Sequence, residues 1–171
     1  MSKDYTFNPG DFVVYPAQGV GKVIGIGTKP IAGQNLHCIT VDFGMKGDKS
    51  TIDIPSAKAL DNGLRQVATP VMMESVEKVL RKKVKPKRIQ WSKRSAEYIA
   101  KIGSGDPIAV AEVIRELYKD PALATQTYSE RQLYEKAMNR LAPEYAIVQG
   151  IPETEAQAKI ETFLAGTDSA E

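Results

Sequence analysis

The hydrophobic pattern of this chain changes its period close to residue 68, and this change restricts the fold more than any other feature. Before it, short runs rich in β-branched and aromatic residues alternate with clusters of Gly, Pro and Asn, which is typical of strands and turns. After it, apolar residues recur at helical spacing. We therefore predict two domains, an all-β domain over residues 1–68 and an all-α domain over residues 69–171.

The first domain is predicted to be a small, strongly bent barrel. Strands are expected at residues 12–15, 19–28, 36–43 and 50–54. The second of these runs carries glycines that suit bends or bulges, at Gly19, Gly21, Gly25 and Gly27. In the third run, Cys38, Thr40 and Asp42 lie on one face, and Ile39, Val41 and Phe43 lie on the other.

Local signals place the helices of the second domain. Pro70 suits the first turn of one helix, and a second helix is expected over residues 92–102. Asp106 followed by Pro107 is typical of an N-cap and first helical position, which opens a third helix through residue 118.

The remaining helices are expected after residue 128. Ser129-Glu130-Arg131-Gln132 has the spacing of a capping box and predicts the start of a fourth helix. Pro143 is expected to start a short fifth helix, and a last one follows Pro152 and ends near Gly166.

Positive charge is concentrated in one stretch of the chain. The net charge of the whole protein is only +2, yet residues 71–105 contain 10 basic and 3 acidic side chains. Nine of these cations surround the only tryptophan, Trp91: Lys78, Arg81, Lys82, Lys83, Lys85, Lys87, Arg88, Lys93 and Arg94. This composition favours binding to a phosphate backbone.

Trp91 has two interpretations that the residues alone leave equally weighted. It stands at the expected start of a helix, where free backbone N–H groups and the helix dipole attract phosphate, so it is placed to wedge into a groove or to stack on a base. Tryptophan is also usually well buried, so a place in the helical core is the alternative.

Enzyme and metal chemistry are not predicted. His37 and Cys38 are the only histidine and cysteine, and neighbours on a strand point to opposite faces, so we expect a surface histidine and a small buried cysteine. The glycine pattern at residues 19–25 has the wrong spacing for a nucleotide loop, and no helix follows it. We therefore predict a non-enzymatic protein with no cofactor and no metal.

The amino-terminal residues lack the apolar segment of a secretory signal, and no apolar run approaches the roughly 18 residues of a membrane span. With a single cysteine, these features favour a cytoplasmic protein. The basic stretch around Trp91 would also suit a free-standing nucleic-acid-binding protein, for RNA for example. This is the alternative function. A small hydrolase would need a catalytic group that the sequence does not display.

Two segments resemble a known family. DFVVYPAQGVG at residues 11–21 is similar to the opening signature of the bacterial CarD/CdnL family of RNA-polymerase-binding transcription factors. PKRIQWSKRSAEYIAKIGSG at residues 86–105, with the helix after it to residue 120, resembles the helical DNA-binding domain of that family. The first signature also occurs in the polymerase-interacting domain of the transcription-repair coupling factor, whereas the Trp-Ser-Lys-Arg segment favours the CarD/CdnL type.

The resemblance implies a Tudor/SH3-like barrel that binds the β subunit of RNA polymerase, and a helical domain that contacts promoter DNA largely independently of sequence. The tryptophan would enter the minor groove at the upstream edge of the transcription bubble and stabilise the open complex. The expected DNA-binding residues are Trp91, Lys93, Arg94, Arg88, Lys87 and Arg131. A monomer associated with the nucleoid through polymerase is expected, with no membrane partner.

The resemblance also implies polymerase contacts on the barrel. The matching positions are Lys29, Ile31, Val41, Asp53 and Pro55. Asp53 departs from the family, which often has Met or Arg there. Its carboxylate either pairs with a basic residue of the polymerase or faces water.

Overall fold

The computed structural model describes residues 7–16, 18–44, 50–59, 61–82, 89–119 and 126–166. The chain separates into two compact units, Met1–Val67 and Ala68–Glu171.

The first unit is built on one antiparallel sheet. Its strands are β1 (Phe12–Tyr15), β2 (Gly19–Ile31), β3 (Gln34–Asp42), β4 (Thr51–Pro55) and β5 (Arg65–Gln66), and a one-turn helix, α1 (Ser56–Ala59), follows β4. The order across the sheet is β4-β3-β2-β1-β5. Because the described strands β4 and β5 do not pair with each other, the sheet is open and the predicted closed barrel is not confirmed.

The β2–β3 hairpin is longer than the sequence pattern indicated. β2 continues to Ile31, and a two-residue turn at Ala32 and Gly33, with φ values of 52° and 77°, reverses the chain. Such turns match the right-handed twist of paired strands. The register between β2 and β3 shifts between Val23 and Gly25, which places an irregularity next to one of the predicted bulge glycines.

Gly21 is the glycine that the core of this unit requires. A Cβ at this position would lie 2.6 Å from Val41 Cγ1 and 2.7 Å from Phe43 Cδ1, well inside van der Waals contact. The core itself consists of Phe7, Val13, Val23, Ile39, Val41, Ile54, Ala59 and Leu64. Cys38 is fully buried and His37 is exposed, which confirms both predictions.

The second unit consists of five helices in its described residues. They are α2 (Pro70–Arg81), α3 (Trp91–Gly103), α4 (Pro107–Leu117), α5 (Tyr128–Gln149) and α6 (Glu153–Gly166). The Asp106 N-cap is confirmed, since its carboxylate accepts a hydrogen bond of 2.9 Å from the Ile108 N–H. Among the described residues, none of the helices is long and apolar enough to cross a membrane.

Two predictions about α5 were wrong. The N-cap is Thr127, not Ser129: its hydroxyl accepts from the Glu130 N–H, and the Glu130 carboxylate accepts from the Thr127 N–H. Pro143 does not start a new helix but lies inside α5. Buried neighbours such as Leu141 and Tyr145 keep the helix continuous, although proline in a helix interior costs about 3 kcal/mol.

An arginine on α4 joins the ends of two other helices. Arg115 Nη1 donates to the Leu80 carbonyl of α2 at 3.3 Å and to the Leu164 carbonyl of α6 at 2.9 Å. The guanidinium of Arg81 also lies 4.5 Å from the centroid of the Phe163 ring. The last turn of α2 is therefore held by the last turn of α6.

Candidate functional site

Trp91 is the first residue of α3, at one edge of the second unit. Gln90 occupies the N-cap position but makes no side-chain capping hydrogen bond, and its carbonyl accepts from the N–H groups of Lys93 and Arg94 at 3.1 Å. The indole is partly buried: it packs against the helical core, and its ring centroid lies 6.3 Å from that of Tyr98. Trp91 is thus neither a fully buried core residue nor a freely rotating one.

Arg94 braces the indole from one turn further along α3. Its Nη2 and Nε donate to the Tyr98 hydroxyl at 3.0 and 3.3 Å. The guanidinium carbon lies 5.7 Å from the centroid of the Trp91 ring, a distance at which a cation attracts the ring face. Burial of Tyr98 raises the pKa of its phenol, although the Arg94 hydrogen bond acts in the opposite direction. Tyr98 therefore stays neutral and accepts both hydrogen bonds at physiological pH.

An open groove of about 590 Å³ begins at Trp91 and runs between α3 and α5. Leu133 and Ile99 contribute apolar surface to it, and several side chains with hydrogen-bonding groups share the lining. The lining residues are Trp91, Ser95, Ile99, Ser129, Gln132, Leu133, Glu135, Lys136 and Asn139. We call this cavity the α3–α5 groove.

Two of the other predicted DNA-binding residues, Lys93 and Arg131, lie on the first turns of the helices that form the groove. Lys93 is exposed on the first turn of α3. Arg131 is exposed on the first turn of α5, and its Nε lies 3.1 Å from Glu135 Oε1 in a solvent-accessible ion pair, which is worth little in itself. Lys87 and Arg88 lie outside the described residues.

The sequence interpretation did not single out Tyr128. This side chain is 76% exposed at the first position of α5. Its hydroxyl accepts a hydrogen bond of 2.7 Å from Gln132 Nε2, and Gln132 lines the α3–α5 groove. The available signal was an aromatic residue directly after the threonine of a Thr-x-x-Glu capping motif.

On the first unit, Lys29 and Asp53 pair with each other. Lys29 Nζ lies 2.8 Å from Asp53 Oδ1, and the Thr40 hydroxyl donates to the same oxygen at 2.5 Å. Hydrogen bonds from Lys29 and then Thr40 lower the pKa of the Asp53 carboxyl. Asp53 is exposed to water while it pairs with Lys29, and its pairing with a basic residue of the polymerase stays a prediction.

Strand register decides which of the predicted polymerase contacts share a face. Asp53 is opposite Thr40, and Pro55 is opposite Cys38 on the same face of β3. Lys29 reaches Thr40 across this face, and Ile31 lies two residues beyond Lys29 on β2. We call Lys29, Ile31, Asp53 and Pro55 the β2–β4 face. Val41 is not part of it, since it is fully buried in the core on the opposite side of the sheet.

The described ranges contain no cluster of side chains suited to binding a metal ion. There, no group of three or more His, Cys, Asp or Glu side chains converges in a way that could hold an ion.

In comparison with known proteins, each of the two units matches a family model. Residues 7–68 match the CarD-like/TRCF RID domain, and residues 75–161 match the C-terminal domain of CarD. YdeB of Bacillus subtilis (strain 168), whose name describes it as a candidate transcription factor, is 25% identical over 153 residues, which cover 90% of this chain and 97% of YdeB. A solution structure of the 72-residue N-terminal domain of Myxococcus xanthus CarD is 36% identical, with a TM-score of 0.30, over 36% of this chain and 79% of that domain.

Proposed function

Because this chain belongs to the CarD family and is therefore a transcription regulator, we propose that it binds the RNA polymerase β subunit and stabilises the open promoter complex. In this proposal the first unit docks on the polymerase through the β2–β4 face. The second unit places Trp91 in the minor groove at the upstream edge of the transcription bubble. The protein acts there as a monomer and uses no cofactor.

The geometry of Trp91 is the observation that supports this proposal most strongly. Inserting an apolar wedge into a base step requires a side chain that is accessible at one edge and fixed at the other. Packing on the core and on Tyr98 fixes the indole, and the guanidinium of Arg94 lies over its ring. The uncapped start of α3 adds backbone N–H groups that suit a neighbouring phosphate.

Docking through the β2–β4 face would allow weak DNA contacts to be enough for stabilising the open complex. A unit held on the polymerase gives the other unit a high effective concentration at the promoter. The Lys29–Asp53 pair at 2.8 Å makes this face nearly neutral overall. We therefore expect the apolar side chains of Ile31 and Pro55 to contribute more to docking than the charges do.

The lifetime of the open complex tests the role of Trp91. We expect Trp91→Ala to shorten the lifetime on a promoter that wild-type protein stabilises, while the β subunit is still retained in a pull-down. Val71→Ala is the matched control, because Val71 is 72% exposed on α2 and has no proposed contact. Equal lifetimes with Trp91→Ala and wild-type protein would contradict the wedge.

A pull-down with the polymerase β subunit tests the β2–β4 face. We expect Ile31→Ala and Pro55→Ala each to reduce retention of the full-length chain. Ile24→Ala is the control on the same strand, since Ile24 is 51% exposed and lies outside this face. Retention that is undiminished in both variants would place the docking surface elsewhere.

A further inference from the structure

Tyr128 is an aromatic ring held on the surface in one position. It is 76% exposed, the largest exposed fraction among the large hydrophobic residues that the structure describes. Its hydroxyl is held in place, because Gln132 Nε2 donates a hydrogen bond of 2.7 Å to it. An exposed ring that is already oriented loses little conformational entropy when a flat partner stacks on it.

The ring belongs to the first residue of α5 and neighbours residues of the α3–α5 groove, although it is not itself part of the lining. Ser129 follows Tyr128 in the chain, Gln132 holds its hydroxyl, and both residues line the groove, whose other wall begins at the indole. The groove thus has the indole at its α3 wall, apolar surface from Ile99 and Leu133, and an exposed aromatic ring beside its α5 wall. Its volume of about 590 Å³ falls within the range of small-ligand sites, roughly 300–1,000 Å³.

We infer that one unpaired base of single-stranded DNA binds at the α5 edge of the α3–α5 groove, next to Ser129 and Gln132, with Tyr128 as a stacking platform. This inference rests on the proposed function, which brings the second unit to the edge of melted DNA. Serine hydroxyls and the amide groups of Gln132 and Asn139 both donate and accept hydrogen bonds. They satisfy the edge of any base, which agrees with binding that is largely independent of sequence.

Charge favours DNA over a peptide as the occupant. Lys136 lines the groove, and Arg131 is exposed next to the lining residue Gln132. Lys93 is exposed on the first turn of α3, beside Trp91. Among the lining residues that the structure describes, Glu135 alone is acidic, and Arg131 pairs with it at 3.1 Å. The rim is therefore cationic, as the backbone of a single strand requires.

The test uses full-length protein, polymerase and promoter DNA that carries 2-aminopurine at successive positions of the upstream bubble edge. Wild-type protein is expected to quench the fluorescence at one position, because the probe stacks on the Tyr128 ring at the edge of the groove. Tyr128→Ala should abolish this quenching and shorten the open-complex lifetime about 5- to 150-fold, the range expected for one lost base-stacking contact. Tyr128→Phe, which keeps the ring, should stay within about twofold of wild type.

The outcomes separate this inference from the proposed function. Normal quenching and lifetime with Tyr128→Ala, alongside a shortened lifetime with Trp91→Ala, would overturn the base site and leave the function standing. No effect of wild-type protein on lifetime would refute the function, and the base site with it. If Tyr128→Ala instead reduces retention of the β subunit, the groove holds protein and the inference is wrong. Unchanged thermal unfolding of the variant excludes misfolding as the cause.

Discussion

Gly21→Ala should destabilise the first unit without affecting the second. The added methyl group would lie 2.6 Å from Val41 Cγ1 and 2.7 and 2.8 Å from two ring carbons of Phe43. Carbon atoms prefer about 3.5–4.0 Å, so these side chains must move by roughly 1 Å within a packed core. Overpacking of this kind costs about 1–3 kcal/mol, while removing a strand glycine returns about 0.5–1 kcal/mol. We therefore expect the free energy of unfolding of the first unit to fall by about 1–2 kcal/mol.

The chain contains a separate probe for each unit. Cys38 is the only cysteine and is fully buried in the first unit, so the rate at which its thiol reacts with Ellman's reagent reports the opening of that unit. Trp91 is the only tryptophan and lies in the second unit, so its fluorescence in urea reports unfolding there. When opening precedes labelling in rapid equilibrium, a loss of about 1–2 kcal/mol raises the thiol labelling rate about 5- to 30-fold.

Gly25→Ala is the matched control on the same strand. A Cβ at Gly25 meets nothing within 4 Å, and its φ is not positive. We therefore expect the thiol of this variant to react no faster than that of wild type. A labelling rate for Gly21→Ala within about twofold of wild type would refute the packing argument. A destabilisation of the second unit equal to that of the first, seen in the Trp91 transition, would instead contradict the expectation that the two units unfold separately.

Three further changes test other contacts. Thr127→Ala should lower the free energy of unfolding of the second unit by about 1 kcal/mol, whereas Ser129→Ala should change it little; equal losses in urea titrations would contradict the cap assignment. Because the Lys29 and Thr40 hydrogen bonds lower the pKa of Asp53, its contribution to stability is present above the unfolded pKa and lost as pH falls through the folded pKa. A carbon-detected NMR titration should show that Lys29→Met moves the Asp53 midpoint upward, and an unmoved midpoint would exclude the pair in solution. Arg94→Ala should increase acrylamide quenching of the single tryptophan, and unchanged quenching would show that the guanidinium does not brace it.

Short-range signals predicted a large part of the fold. Asp106 and Pro107 are sufficient to predict the start of α4, because the capping hydrogen bond from the Ile108 N–H to Asp106 spans only two residues. The strands of the first unit and the burial of Cys38 followed from alternation and residue type in the same way.

Competing local signals explain the error at α5. Thr127-x-x-Glu130 and Ser129-x-x-Gln132 both fit a capping box. The motif at Thr127 has an additional contact from outside the helix, because Lys119, just after α4, forms an ion pair with Glu130 at 3.0 Å. Burial acts to raise the pKa of the Glu130 carboxyl, but the hydrogen bonds from Lys119 and Thr127 together outweigh it and lower the pKa. Only the tertiary structure brings that lysine into place.

The site was predicted in its residue types more than in its arrangement. The cationic surroundings of Trp91 were evident from composition, but the bracing by Arg94 depends on where Tyr98 packs. The Lys29–Asp53 pair joins residues 24 positions apart and depends on the register of three strands. Family resemblance suggested Val41 as a polymerase contact, but the structure places this side chain in the core.

The attachment of α2 to α6 through Arg115 has a consequence for the order in which the chain folds during synthesis. Every described strand of the first unit lies before Val67, so that unit has all of its sheet partners once it leaves the ribosome. The second unit must wait, because the last turn of α2 is completed by Leu164 and Phe163 of α6. At roughly 5–20 residues per second, α2 remains without these partners for several seconds, and its apolar face is then available to chaperones. The nascent protein therefore acquires its first folded unit well before its second.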